Sequence, residues 1–368
     1  LIEEIARVVG FDSIPEKFPL GCLKPVSTKE SIKSFNDIRE SLIYQDFYEV
    51  ITYGFIEKKS AEKFKSTIYN TENNIVSVLN PISTNMDTMR TSLLPGLINV
   101  LSDNVKNQQE RVRIFEIGKV FHKVDQDYSS NEIDGLMQTD LLSCLIYGSN
   151  YPEQWGKKNH ISDFYDLKGI FSNLINEKFD FKSLPSPINF LHPGKSASIH
   201  NSRFKKQEKN ENNNNPKKIN LFGNDCIGFI GELHPELSKK YQLHHSPVVI
   251  EVELSFLTDV KIPSWSDYSK APFVRRDVAF LLNHDLEVGD VVKEVRKNIS
   301  NRKNGNLVSD FYPFDLYTGS DLPSGKKSIT FRVLMQDFGK TLNESQVDSV
   351  LQSILLIMQK LFDAELRN

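Results

Sequence analysis

Apolar positions recur at steps of three and four in some stretches and at steps of two in others, and these rhythms separate helices from strands. Residues 1–9 place Ile2, Ile5, Ala6 and Val9 on one face, and Gly10 follows as a helix stop. Ile32, Phe35, Ile38 and Leu42 predict a second amphipathic helix, with Ser27 and Glu30 as a capping-box pair ahead of it. Strand-like runs follow at YEVITYGF, IVSVL, RVRIFEIGKVF and LLSCLIYG, with helical patterns at 93–105 and 164–179 between them. After RVRIFEIGKVF, His122 and Lys123 read as the opening of a loop. IGFIGELHPEL and VVIEVEL add further strands. Without a regular βαβ alternation, the pattern predicts an α+β fold on an antiparallel sheet.

From residue 270 a different unit begins. A strand at 273–282 precedes a helix at 288–299, and strands at 307–317 and 327–336 follow. Thr341 and Glu344 suggest a capping box for a helix carrying Val347, Val350, Leu351, Ile354, Leu355, Met358 and Phe362. A short strand at AELR ends the chain. The order β-α-β-β-α-β is the ferredoxin-like plan. Residues 202–220 are polar and Asn-rich, a floppy insertion between two strands by composition. Residues 261–272 read as a linker from their Pro and Ser content.

The 368 residues suffice for two or three domains. Lys+Arg number 45 against 48 Asp+Glu, so any phosphate-binding surface has to be local. Nothing approaches the ~18 uninterrupted apolar residues of a membrane span, and no membrane partner is expected. Cys22, Cys144 and Cys226 make neither a disulfide framework nor a CxxC pair, which points to a reducing, cytoplasmic setting. The chain opens without Met, inside a helical pattern, which predicts a preceding part. His192, His234, His244 and His245 lack metal-ligand spacing, and no GxSxG nucleophile motif occurs.

Strand alternation also sorts the C-terminal residues by face. In KKSITFRVLM, Ile329, Phe331, Val333 and Met335 should face the helices, leaving Ser328, Thr330 and Arg332 on the open side. In FDLY, Phe314 and Leu316 should point inward, with Asp315 and Tyr317 outward. Parity adds Arg275 to the open face. An aromatic ring, guanidinium groups and short hydrogen-bonding side chains on one open sheet suit unstacked RNA bases.

Seven phrases in order, LIEEIARVVGFDSIP, NPISTNMDTMRTSLLPGLI, RIFEIGKVF, FYDLKG, LHPGKSA, IGFIGELHPEL and FVRRDVAF…FDLYTG…GKKSITFRVLMQD…TL, resemble the bacterial phenylalanyl-tRNA synthetase beta subunit. The resemblance covers nearly the whole chain and corresponds to the C-terminal half of that subunit. It implies the end of a metal-holding helical domain at 1–20 and a catalytic-like but inactive class II synthetase domain at 21–262. A linker at 263–269 and a ferredoxin-fold anticodon-binding domain at 270–368 would follow. The implied activity is ATP-dependent esterification of phenylalanine to tRNA(Phe), with the chemistry in an alpha subunit and two copies of each subunit in the complex. Its anticodon contacts match Asp315, Tyr317 and Ser328 by spacing; Arg332 and Arg275 rest on parity alone.

The resemblance also explains an oddity. A class II catalytic domain carries an arginine early in its second motif, on the ATP α-phosphate, and a later glycine-rich motif. Here His122 stands where that arginine should be, and no two glycines lie two residues apart. An imidazole near neutrality is a poor substitute for a permanent, bidentate guanidinium. The resemblance further assigns Glu3 and Glu4 to a Mg²⁺ shared with the alpha subunit, its two aspartate ligands falling before Leu1, and puts an editing domain upstream. It makes Met86, Met89, Leu93, Leu94 and Leu97 core or contact residues, and the 31–44 helix with the strand to Phe55 the alpha-facing surface. The rival reading is a stand-alone RNA-binding or assembly protein without a role in aminoacylation.

Overall fold

The computed structural model describes residues 1–17, 21, 32–65, 75–124, 135–174, 179–184, 187–201, 221–222, 226–258, 262, 264–265, 267–302, 304–319 and 321–367. Nearly continuous buried runs, as in residues 141–147 and Val248–Glu253, dominate the first sheet because both its faces are covered. Strands β1 (Tyr48–Glu49), β4 (Val112–Lys123), β5 (Leu136–Tyr147), β6 (Asp180–Ser183), β7 (Leu191–His200), β8 (Cys226–Leu233) and β9 (Val248–Glu253) form it in the order β1-β4-β5-β9-β8-β7-β6. Every pairing is antiparallel except that of edge strand β1 with β4. Two shorter strands, β2 (Phe55–Ile56) and β3 (Thr88–Met89), pair separately. The run at 75–79 supplies only a bridge at Ser77.

On one face of the sheet, Leu93, Leu94, Leu97, Ile98 and Leu101 of helix Leu94–Lys106 and its entry pack on Ile114, Val120, Leu141, Leu145, Phe229 and Val249. On the other, Ile38 and Leu42 of helix Phe35–Ile43 and Leu167, Phe171 and Leu174 of helix Phe164–Leu174 meet Phe115, Leu142, Cys144, Ile146, Ile230 and Ile250. Adjacent residues Ile114 and Phe115 thus serve opposite cores, as a period of two requires. Phe164 joins that packing while Tyr165 is exposed, and Met86 and Met89 are half-buried.

Helix Phe35–Ile43 begins at Ser34, whose Oγ accepts from Asp37 N at 3.1 Å while Ser34 N donates to Asp37 Oδ2 at 2.8 Å. Ser27 and Glu30, expected to cap it, lie outside the described residues. Helix Leu94–Lys106 takes its cap from far away: Glu251 Oε2 on β9 accepts from Leu93 N at 2.9 Å and Ser92 Oγ at 3.0 Å. A carboxylate there satisfies orphan N–H groups and favours the helix dipole. The expected loop at His122 and Lys123 is instead the end of β4, paired through Lys123↔Leu136. Residues 202–220 lie outside the described residues; the flanking β7 and β8 are neighbours paired as far as His200↔Cys226.

The second sheet has the order β11-β12-β10-β13, from β10 (Val274–Asn283), β11 (Val308–Tyr317), β12 (Lys326–Met335) and β13 (Glu365–Leu366). Helices Val288–Ile299 and Glu344–Phe362 cover one face through Val291, Val295, Val347, Val350, Ile354 and Met358. This is the ferredoxin-like arrangement. The last helix is capped by Asn343 and Gln346 rather than Thr341 and Glu344, because Glu344 is already its first residue. Among the described residues, two polar contacts join this unit to the first sheet, Ser183 N donating to Glu287 Oε1 at 3.1 Å and Lys293 pairing with Asp180 at 3.5 Å.

Candidate nucleic-acid interface

Two surfaces compete for the functional site, and the first is a polar row inside the larger sheet. Glu116, Ser143 and Glu251 stand opposite one another across β4, β5 and β9, on the face covered by helix Leu94–Lys106. All three are buried. Their partners are protein groups: Ser143 Oγ donates to Glu251 Oε2 at 2.6 Å, and Arg90 Nη1 donates to Glu116 Oε1 at 2.7 Å. Thr52 reinforces the pair, its N and Oγ1 donating to the Glu116 carboxylate at 3.2 and 2.8 Å. Arg90 Nε donates to Lys119 O at 2.8 Å, so the guanidinium lies flat over Gly118. A Cβ at Gly118 would come within 2.3 Å of Arg90 Nη2, which explains the glycine.

His122 lies further along β4 on the same face, 3% exposed. Burial pushes its imidazole down to about 4, so the ring is neutral at pH 7 and offers no cation to a phosphate. Glu116, Ser143 and Glu251 are therefore all engaged by protein groups. A cleft of about 830 Å³ opens elsewhere, at the β1 edge, between Asp46, Tyr48, Arg111, Arg113 and Tyr151. Exposed Phe35, Ile43, Tyr44, Tyr48, Ile51 and Tyr53 cluster along helix Phe35–Ile43 and this same edge.

The second surface is the helix-free face of the ferredoxin-like sheet. Pairing puts Tyr312, Arg332 and Asp277 in one row, Asp315, Thr330 and Ala279 in the next, and Tyr317, Ser328 and Leu281 in a third. Asp315 and Tyr317 are exposed there, as parity predicts. Ser328 shares their face but is only 3% exposed, which corrects its placement as an open group. It lies between Tyr317 and Leu281 on the neighbouring strands.

Phe314 needs a larger correction. The register shifts between Pro313, opposite Phe331, and Asp315, opposite Thr330, leaving Phe314 as an extra residue in a β-bulge. It turns to the open face, where the Arg332 guanidinium lies 4.1 Å from its ring centroid. Leu316 keeps the inward parity, opposite Ile329, yet is exposed at this edge strand.

Arg275 and Arg332 are brought together by a residue that sequence reasoning missed. Asp277 accepts from Arg332 Nε and Nη2 at 2.9 and 3.1 Å and from Arg275 Nη2 at 2.9 Å. The Arg332 and Arg275 bonds hold its carboxyl well below the usual carboxylate range. A second unrecognised partner is Arg367, whose guanidinium lies 4.5 Å from the Tyr317 ring centroid and 3.5 Å from Asp321. Tyr317 donates its hydroxyl to Asp321 Oδ1 at 2.6 Å, and that bond raises the phenol above its ordinary value. Asp277 shares the parity of Arg275 and was within reach of the sequence; Arg367 was not, since nothing local pairs β13 with β10.

Glu3 and Glu4 sit on helix Ile2–Val9, which buries none of its residues. Glu4 pairs with Arg7 at 3.0 Å. Two adjacent carboxylates are suitable hard donors for Mg²⁺, which keeps several waters. Among the described residues, however, no group of three or more acidic, His or Cys side chains surrounds a common point.

Comparison with known proteins finds two family matches along the chain. Residues 14–254 match the model of the phenylalanyl tRNA synthetase beta chain CLM domain, and residues 269–367 match that of the ferredoxin-fold anticodon binding domain. The beta subunits of phenylalanine–tRNA ligase from Dechloromonas aromatica and Aromatoleum aromaticum are 33% and 34% identical over 368 residues. Each alignment takes in 100% of this chain but 42% of the relative, so the chain spans about two fifths of their length. Among solved structures, the pyrrolysyl tRNA synthetase of Desulfitobacterium hafniense is 13% identical at a TM-score of 0.39, covering 61% of this chain and 66% of that one. So loose a likeness carries no weight.

Proposed function

The chain belongs to the phenylalanyl-tRNA synthetase beta-chain family, and on that footing we propose that it scaffolds a catalytic alpha subunit and grips the anticodon region of tRNA(Phe). The complex would esterify phenylalanine to the tRNA with ATP, two alpha and two beta subunits together, in the cytoplasm. The observation that carries this reading is the open sheet bearing exposed Tyr317 and Asp315 beside arginines. Unpaired loop bases are read in this way, by stacking and by hydrogen bonds to their edges. Asp315 and Ser328 would address a base edge, Ser328 only after the groups covering it shift, and Arg275 would steer the backbone.

Chemistry falls to the alpha subunit because the polar row of this chain is closed. Among the described residues of the row, His122 is neutral and Arg90 is already paired with Glu116, so neither offers ATP a free cation. The apolar groups around Tyr44, Tyr48 and Ile51 would be the alpha-facing surface, since permanent interfaces are large and apolar. Glu3 and Glu4 would donate two oxygens to a Mg²⁺ completed by groups outside this chain; the ion would bridge the subunits electrostatically.

Tyr317→Ala tests the proposal. It should cost roughly 1–3 kcal/mol of affinity for intact tRNA if one base stacks on the ring. The same variant should leave binding of a minihelix lacking the anticodon unchanged. Equal losses on both RNAs would put the tRNA elsewhere on the chain.

A further inference from the structure

We propose that the open sheet carries a second base-stacking site, formed by Phe314 and Arg332 and fixed by Asp277, which takes an unpaired nucleobase separate from the one at Tyr317. The inference rests on the anticodon reading above and deepens it. Its first support is that Phe314 is placed outside by a bulge. Counted back from Tyr317, the ring would enter the core beside fully buried Phe311 and Phe331; the extra residue instead leaves Phe314 and Asp315 on the open face together. Phe314 takes no part in that core and is 45% exposed. It packs instead on Arg332.

The second support is the rigidity of that arginine. Its Nε and Nη2 hold both oxygens of Asp277, and its Cζ lies over the phenyl ring, 4.1 Å from the centroid. A fork fixed along one edge and backed by a ring loses little further freedom on binding. Guanidinium planes and aromatic rings both stack on bases. The local charge argues for a base over the RNA backbone: Arg332 and Arg275 share the single carboxylate of Asp277, leaving only one net positive charge.

The third support is repetition. Tyr317, Arg367 and Asp321 make the same trio of ring, guanidinium and carboxylate, with the cation 4.5 Å from the ring against 4.1 Å at Phe314. Arg332 stands four residues along β12 from Ser328, the partner of Tyr317, a separation of roughly 13 Å at the usual strand rise. One base cannot span that distance. Two bases of a single loop, splayed across the sheet, can.

The test uses the 368-residue chain and tRNA(Phe) transcripts carrying 2-aminopurine at successive anticodon-loop positions. Phe314→Leu keeps apolar bulk without the ring, and Arg332→Lys keeps charge without the plane. Each should weaken binding of intact tRNA about five- to tenfold and abolish 2-aminopurine quenching at one loop position. Quenching at a different position should be lost with Tyr317→Ala and spared in the other two variants. If Phe314→Leu and Arg332→Lys bind within twofold of the parent while Tyr317→Ala does not, the second site is overturned and the anticodon reading stands. If Tyr317→Ala also binds like the parent, both fall. An Arg332→Lys variant that keeps parental affinity and quenching while Phe314→Leu loses them would reduce the site to a lone ring and overturn the role given to the guanidinium. Melting temperature serves as the control, since loss of folding would depress it in step with affinity for every RNA tested.

Discussion

Replacing Arg90 by Met should destabilise the larger sheet unit by about 3–4 kcal/mol. Arg90 and Glu116 form an ion pair at 2.7 Å with side chains 9% and 3% exposed. Removing one partner of such a pair typically costs about 3–5 kcal/mol, because the other charge stays buried without its counter-ion. The Thr52 N–H and hydroxyl remain on Glu116 and offset part of this, while the lost Arg90 bond to Lys119 O adds about 1 kcal/mol. For a unit of this size, each kcal/mol moves the midpoint by about 2–4 °C, so a fall of roughly 6–16 °C is expected. Far-UV circular dichroism on heating, backed by urea titration, reads it directly. The double variant Arg90→Met, Glu116→Leu removes both charges and should recover most of the loss. A single variant melting within about 2 °C of the parent, or a double variant no better than the single, would refute the buried-pair argument.

Two other outcomes follow from the same face of the sheet. His122 is depressed from an ordinary 6.5 to about 4 by burial, so the unfolded chain binds its proton first on acidification. Its contribution is complete above pH 6.5 and is lost as pH falls towards 4, by about 3 kcal/mol in all; urea midpoints for the parent and His122→Phe should differ in slope across that window and run parallel above it. Gly118→Ala should cost about 1–3 kcal/mol by driving a methyl into Arg90, and it should cost far less in the Arg90→Met background, a coupling that urea melts of the four proteins will measure.

The sequence was most legible where period and composition agree. The helix expected at 288–299 is Val288–Ile299, and the alternation of Ile329, Phe331, Val333 and Met335 is that of the buried face. Caps were less legible. Ser27 and Glu30 fit the familiar spacing, yet helix Phe35–Ile43 uses Ser34 and Asp37, whose side chains make the same reciprocal bonds with a shorter acid. Thr341 and Glu344 lost to Asn343 and Gln346 for a similar reason. A bulge adds one residue without altering the local pattern of residue types, so Phe314 could not be placed by parity. Ser328 is buried although its parity is outward, because tertiary packing around the paired strands sets its exposure, and one strand's alternation does not contain it. Asp277 and Arg367 went unnoticed because their roles exist only after β10, β12 and β13 have paired.

The long-range cap on helix Leu94–Lys106 also bears on the order in which the chain can become native. Glu251 lies 158 residues beyond the Leu93 amide that it accepts from. At the usual pace of synthesis, roughly 5–20 residues per second, the helix leaves the ribosome about 8–30 s before its cap does. During that interval its first N–H groups have only Ser92 and water, and its apolar face has β4 and β5 but not β9. An early helix of this kind forms and melts repeatedly, since thirteen residues without tertiary support are marginal. The arrival of β9 brings the seventh and last strand of the sheet, between β5 and β8, and the missing carboxylate in a single step. That makes β9 the latch of the sheet, and a nascent chain stopped short of Glu251 a substrate for chaperones.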